Sequence, residues 1–265
     1  MRILMVGDVV GRPGRDAVAA LLPPLRQELG LDFVVVNAEN AAAGRGLTVR
    51  LAHQLLESGA DVLTSGNHIF NVREFTRDFD SLEAPVLRPA NYPPGAPGRG
   101  MVQVGGVTVI NLMGRVFMPA DMDDPFRAAD ALLEGVSPGA VVLVDFHAEA
   151  TSEKQALAWY LDGRASAVVG THTHVPTADA RVLPRGTAMV TDLGMTGATD
   201  SIIGDDVDAV LHRFLTSMPT RLPVAAGGDA VMNAVLIDVD DASGRARHIE
   251  RVDRRCVVAR SAEPD

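Results

Sequence analysis

Two histidines stand two residues apart in the segment 170–174, which reads Gly-Thr-His-Thr-His. They follow the apolar residues 167–169, a pattern typical of a short buried strand. Imidazole is a ligand for zinc, iron, manganese and nickel, so His172 and His174 indicate a metal site. Because the same short pattern also occurs in surface loops, this interpretation depends on further ligands at equivalent strand ends.

Metal-binding side chains also follow other predicted strands. The N-terminal part of the chain alternates apolar strands with helices, which predicts an α/β fold with mostly parallel strands. In such sheets, sites form in the crevice outside the carboxyl ends of the strands. Singly, each residue could be a turn former, a solvated acid or a packed histidine; jointly they favour a metal site. They are Asp8; Glu39 with Asn40; Asn67 with His68; His147; and His172 with His174.

Several local signals predict where helices and hairpins lie. We expect a helix over 13–29 with a break or kink at Pro23 and Pro24, because proline removes a helical hydrogen bond. Thr48 is expected to cap or begin a helix, and Ser152 to cap a later one. Apolar segments 101–104 and 107–112, separated by two glycines, predict a hairpin, so the later sheet is not purely parallel.

Composition limits the classes of protein and partner. A chain of 265 residues with 47% hydrophobic content has room for a sizeable core. The single cysteine, Cys256, fits a reducing compartment, and no apolar run is long enough for a signal peptide or a membrane span. We therefore expect a cytoplasmic protein with no membrane partner. The net charge of −10 argues against binding of long nucleic acid but permits a small anionic substrate.

The order of these residues resembles the calcineurin-like metallophosphoesterases, and more closely their YmdB-like branch. Three departures from the wider family are typical of that branch: Val10 where the wider pattern has histidine, Glu39 where it has aspartate, and Ile69 where an acid follows Gly-Asn-His. The resemblance covers nearly the whole chain. The matching stretches are 7–11, 37–40, 66–68, 145–149, 170–174 and 191–197.

The resemblance implies a fold and a ligand set. The expected fold is one α/β metallophosphoesterase domain over 1–265, with two mixed β-sheets packed as a sandwich, flanking helices and a disordered tail from about 261. Two divalent or mixed-valence ions are implied, iron or manganese, with zinc as an alternative. Asp8, Glu39, Asn40 and His174 would bind one; Glu39, Asn67, His147 and His172 would bind the other.

The resemblance also implies phosphodiesterase action on small phosphodiesters, above all 2′,3′-cyclic nucleotides. A metal-bound hydroxide would attack phosphorus in line, and His68 would donate a proton to the leaving oxygen. The alternative for His68 is to orient a ligand. The alternative functions are a broader phosphatase or nuclease, and a non-catalytic regulatory protein that binds metal and nucleotide.

Other properties stay open at this stage. Arg12 and Arg45 lie in loops beside predicted ligands and could hold phosphate or be solvated, so neither is counted in the site. Thr171 and Asp192 are candidate hydrogen-bond partners of the ligating histidines. The oligomeric state is open, and a homo-oligomer is compatible with the sequence.

Overall fold

The computed structural model describes residues 1–119 and 121–260, which contain six α-helices and fifteen strands. The helices are α1 (Gly11–Glu28), α2 (Val49–Glu57), α3 (Arg73–Asp78), α4 (Pro125–Leu133), α5 (Thr151–Tyr160) and α6 (Val207–Thr216). The strands are β1 (Arg2–Val6), β2 (Asp8–Val9), β3 (Phe33–Asn37), β4 (Val62–Thr64), β5 (Met101–Val104), β6 (Val107–Met113), β7 (Val141–His147), β8 (Ala167–Thr171), β9 (Arg181–Val182), β10 (Ala188–Val190), β11 (Met195–Ala198), β12 (Asp229–Met232), β13 (Ala234–Asp240), β14 (Arg245–Arg251) and β15 (Arg254–Val257).

Two mixed sheets form the centre of the fold. The first has the strand order β14-β13-β1-β3-β4, and the second β5-β6-β7-β8-β10-β9. Strands β1, β3 and β4 run parallel, as do β6, β7, β8 and β10, whereas β13, β14, β5 and β9 pair antiparallel with their neighbours. A small third sheet, β15-β12-β11-β2, adjoins them. The α/β prediction of two mixed sheets is confirmed, and the third sheet was not predicted.

The alternation of side chains along β1 explains the layering. Ile3 packs with Val35 and Leu143 in a core between the two sheets, whereas Leu4 faces the other way and packs with Leu22 of α1. A third apolar cluster lies between the second sheet and α4 and α5. Successive residues of a strand point to opposite faces, so an uninterrupted apolar strand must be covered on both sides. The predicted sandwich with flanking helices follows from this pattern.

Two predictions about helices were wrong. The predicted break at Pro23 and Pro24 does not occur: helix α1 continues through both prolines, which lie on its exposed face, where water can bind the carbonyl groups that lose their partners. The alternative of a kink there stays a prediction. Ser152 lies inside α5 and does not cap it; the first turn closes on the carbonyl of Ala150 instead. By contrast, Thr48 caps α2 by accepting a hydrogen bond from the backbone N–H of Leu51 at 3.2 Å.

The parallel strands of both sheets end at a common edge, where the predicted ligands lie. A buried bond across the sandwich joins the two sheets there, since Asn37 at the end of β3 donates to Asp145 of β7 at 3.0 Å. No helix among residues 1–119 and 121–260 is long and apolar enough to cross a membrane. The domain extent of 1–265 stays a prediction, and the predicted disordered tail lies outside the described residues.

Candidate metal centre

Three predicted ligands surround the Nε2 atom of His147. Oε1 of Glu39 lies 3.1 Å from this atom, Oδ1 of Asn67 lies 3.0 Å from it, and Nδ1 of His172 also lies 3.0 Å from it. Glu39, His147 and His172 each offer a ligand atom, and these atoms lie within 4.8 Å of one another. The cluster mixes nitrogen and oxygen donors without thiolate and is compatible with a divalent metal.

A second group of polar atoms lies beside the first. Oδ1 of Asp8 and Oδ1 of Asn40 are buried and have no hydrogen-bond partner among the described residues. The Nε2 atom of His174 lies 4.0 Å from the same Asp8 oxygen. Buried polar atoms that lack partners are costly unless an ion or ligand satisfies them. These two oxygens therefore fit the metal that the sequence predicts.

Burial and neighbouring charges shift the pKa values of the site residues. Burial raises the pKa of Asp8 to about 6. Burial would also raise the pKa of Glu39, but the neighbouring His147 imidazole outweighs it and holds that pKa below its usual range. Burial and the adjacent His147 lower the pKa of His172 to about 3, which keeps this imidazole neutral and able to bind a cation. A bound cation would compensate both buried carboxylates.

His147 is held by a hydrogen-bond chain behind the metal-facing side of its ring. Its Nδ1 atom lies 2.9 Å from the hydroxyl of Thr171, which donates to Asp145 at 2.7 Å. Asp145 is fully buried and also accepts hydrogen bonds from Asn37 and Thr64, while its burial raises its pKa. Such a chain fixes the orientation of the ring and leaves Nε2 for a ligand.

The loop that carries His172 and His174 is strained. Both residues have positive φ angles, 101° and 65°, a region that non-glycine residues rarely adopt. Asp192 holds the loop by accepting hydrogen bonds from the backbone N–H of Thr173 at 3.1 Å and from its hydroxyl at 2.8 Å. Lys154 of α5 lies 2.7 Å from the same carboxylate. Asp192 thus positions the loop between the histidines, and no hydrogen bond joins it to either imidazole within the described residues.

Close packing also restricts the ring of His147. A Cβ atom added to Gly66 would lie 2.1 Å from its Cδ2 atom, far inside van der Waals contact. Glycine before Asn67 therefore lets the loop after β4 pass directly against the imidazole. This close approach explains why the Gly-Asn-His sequence of residues 66–68 begins with glycine.

His68 lies in the wall of the site cavity, which has a volume of about 340 Å³. Its backbone N–H donates to Oε2 of Glu39 at 3.1 Å, and its Nδ1 lies 3.2 Å from the amide nitrogen of Asn71. Burial lowers its pKa, and the charge of Glu39 acts in the opposite direction. The structure thus brings together all the predicted site residues, whose individual roles remain predictions. They are Asp8, Glu39, Asn40, Asn67, His68, His147, His172 and His174.

Other residues of the cavity were missed or left open by the sequence. Glu149 lies 3.2 Å from Nε2 of His172; its position two residues after His147 was a usable signal. Arg45 lines the cavity, whereas Arg12 forms an exposed ion pair with Asp16 at 3.5 Å. The contact of Nδ1 of His174 with the carbonyl oxygen of Ile203, at 2.7 Å, joins distant loops and had no sequence signal.

Known proteins share both the sequence and the fold. The model of the YmdB-like protein family matches residues 4–252. The chain belongs to the YmdB-like family. A 2′,3′-cyclic-nucleotide 2′-phosphodiesterase of Bacillus subtilis is 50% identical over 257 residues, which cover 95% of this chain and 96% of the relative. The resemblance inferred from the motifs is confirmed.

Two solved structures of similar proteins have the same fold. A protein of Thermus thermophilus superposes with a TM-score of 0.88 and 48% identity, covering 96% of this chain and 99% of its own. A phosphatase of Mycoplasma pneumoniae gives a TM-score of 0.89 at 30% identity, covering 96% and 93%. The arrangement of sheets and helices is therefore that of the family.

Proposed function

We propose that the chain is a metal-dependent phosphodiesterase that hydrolyses 2′,3′-cyclic nucleotides. The observation that carries the proposal is the convergence of Glu39, Asn67 and His172 on the Nε2 atom of His147, beside the unpartnered oxygens of Asp8 and Asn40. The name of the Bacillus subtilis relative supports the choice of substrate.

Two transition-metal ions, iron or manganese, fit the donor set. The two ligand groups share Glu39, whose two carboxylate oxygens face different neighbours: Oε1 faces His147, and Oε2 accepts from the backbone of His68. When bound, such ions supply Lewis-acid activation of the phosphoryl group and of a water nucleophile. One ion would be held by Asp8, Glu39, Asn40 and His174, and the other by Glu39, Asn67, His147 and His172.

The protein's own groups prepare the site before substrate arrives. The Thr171 hydroxyl and the strained 172–174 loop fix where the imidazoles point, so no reorganisation is needed at the moment of reaction. His68 is the proposed proton donor to the leaving ribose oxygen. The Asn71 side-chain amide lies 3.2 Å from its Nδ1 and orients the ring, and proton donation would come from the imidazolium form through Nε2.

The cavity suits a small ester and not a long chain. Its volume of about 340 Å³ lies at the lower end of the usual range for small-molecule sites. The net charge of −10 opposes binding of long nucleic acid, which needs a basic surface. We accordingly propose a small phosphodiester substrate; the single cysteine supports a cytoplasmic location.

The test is hydrolysis of 2′,3′-cyclic AMP by the purified full chain, first treated with chelator and then supplied with manganese or iron. Turnover should return with metal and be lost in Glu39→Ala, whereas the control Glu57→Ala, which changes an exposed glutamate of α2, should match the parent. Parallel assays with monoester and RNA substrates test for the activity of a broader phosphatase or nuclease. Two bound metals with no turnover on any ester would favour the regulatory alternative and contradict the proposal.

A further inference from the structure

A groove lined by arginines adjoins the candidate active site. The site cavity and a second cavity of about 380 Å³ share Gly44, Arg45 and Asp205 in their walls. The second cavity is also lined by Arg213, near the end of α6, and by Arg221 in the loop that follows. We call Arg45, Arg213 and Arg221 the arginine groove. Through these shared residues it adjoins the cavity that contains His68, His172 and His174.

The walls of the arginine groove are tied to the metal centre. The side-chain amide of Asn40, a predicted ligand, donates to the carbonyl oxygen of Gly44 at 2.9 Å and so holds the loop that carries Arg45. On the other wall, the backbone N–H of Asp206 donates to Pro223 at 2.9 Å and joins the start of α6 to the loop that carries Arg221. The spacing between groove and site is therefore set by hydrogen-bonded backbone.

The charges of the groove are unlike those of the rest of the chain. The protein carries a net charge of −10, yet three arginines and a single carboxylate, that of Asp205, line the second cavity. Burial raises the pKa of Asp205, and the nearby charges of Arg45 and Arg213 oppose that shift. The three arginine side chains are exposed, and within residues 1–119 and 121–260 none of them has a hydrogen bond or ion pair with protein. They are available to an anion.

We infer that the arginine groove binds a second phosphate of the substrate, the 5′-phosphoryl group of a nucleoside 2′,3′-cyclic phosphate. This inference rests on the proposed function. One ribose ring separates the 5′-phosphate from the cyclic ester, and the two cavities share Gly44, Arg45 and Asp205, so the second phosphate would reach the adjoining cavity when the ester occupies the site. Guanidinium groups bind phosphate oxygens in pairs and keep their charge at any physiological pH. Two kinds of substrate carry a phosphoryl group at this 5′ position. One is a mononucleotide with a 5′-phosphate, and the other is an RNA end, where the last internucleotide phosphodiester lies at the 5′ oxygen of the terminal nucleotide.

The test compares three probes on the metal-loaded full chain: 2′,3′-cyclic AMP, its 5′-phosphorylated form, and a diadenosine dinucleotide that ends in a 2′,3′-cyclic phosphate. The 5′-phosphorylated probe should have a kcat/KM at least about tenfold above that of 2′,3′-cyclic AMP, because charge-assisted bonds to phosphate add affinity. In the Arg213→Ala/Arg221→Ala variant this preference should fall toward one. The Arg50→Ala/Arg255→Ala control, which removes two exposed arginines outside both cavities, should keep it.

The outcomes separate the two proposals. Equal kcat/KM for the cyclic nucleotide with and without its 5′-phosphate, or a preference that survives in the double variant, overturns the groove and leaves the phosphodiesterase standing. No turnover of any probe overturns both. A preference for the monoester over the dinucleotide identifies a phosphorylated mononucleotide as the source, and the reverse identifies an RNA end. Arg213→Lys/Arg221→Lys should restore part of the preference, which separates charge from folding.

Discussion

Replacing Lys154 with methionine should destabilise the protein and weaken its hold on metal. The ammonium group lies 2.7 Å from Oδ2 of Asp192, and the two side chains are only 3% and 2% exposed. Methionine keeps much of the volume of lysine but leaves a buried carboxylate without its cation. Removing one partner of a buried pair costs about 3–5 kcal/mol. The same carboxylate holds Thr173 between the two predicted histidine ligands, so metal binding should weaken as well.

Denaturant unfolding of the chelated protein measures the change in unfolding free energy directly. It appears as a shift of the denaturant midpoint while the dependence of the free energy on denaturant concentration stays constant. The matched control is Arg254→Met, which removes the cation of a partly exposed pair with Glu28 at 3.1 Å and should cost less than about 1 kcal/mol. Metal titration of both variants measures the predicted loss of metal affinity. A Lys154→Met protein whose unfolding free energy lies within about 1 kcal/mol of the parent would refute the reasoning, because the Asp192 charge would then need no buried partner.

Three further predictions concern the same site. Gly66→Ala drives a methyl group into the ring of His147, so it should lower stability by about 1–3 kcal/mol and reduce metal content. Gly135→Ala, whose added Cβ would have no atom closer than 4.0 Å, should do neither. Thr171→Val removes the hydrogen bond to the His147 ring and should weaken metal affinity about 10–100-fold in a competition titration, and unchanged affinity would contradict this. In the chelated protein the contribution of His172 to the unfolding free energy should fall by about 2 kcal/mol between pH 7 and 5, because the unfolded His172 takes up a proton near 6.5 whereas burial holds its folded pKa at about 3. Asp8, whose folded pKa is about 6, changes the unfolding free energy in the opposite direction over this range, so the His172 contribution is read as the difference between parent and variant. His172→Asn should remove that part of the slope.

Much of the site could be predicted from the sequence because parallel strands end at one edge. Asp8, Glu39, Asn67 and His147 each follow or end an apolar strand, and the sheet brings those ends together whatever the exact strand boundaries are. Apolar runs of three or more residues, such as β4 before Asn67, are sufficient for this prediction. The two main sheets and the helices that cover them follow from the same signal.

Contacts between distant loops could not be predicted. The third sheet depends on β2, a strand of two residues that pairs with β11, too short to leave a period in the sequence. The bond between Lys154 and Asp192 joins residues 38 positions apart that have no shared motif. Proline usually breaks a helix because it removes a backbone hydrogen bond, but Pro23 and Pro24 lie on the solvent-exposed face of a continuous helix. Each depends on three-dimensional placement, which local propensity does not encode.

The central claim is that metal held by the strand-end cluster makes this chain a phosphodiesterase. The most direct test is to titrate manganese or iron into the chelated protein while measuring both bound metal and turnover of 2′,3′-cyclic AMP. Turnover should rise with metal occupancy, saturate at two ions per chain, and stay absent in Glu39→Ala at any metal concentration. Full turnover in the metal-free protein, or in Glu39→Ala, would contradict the account.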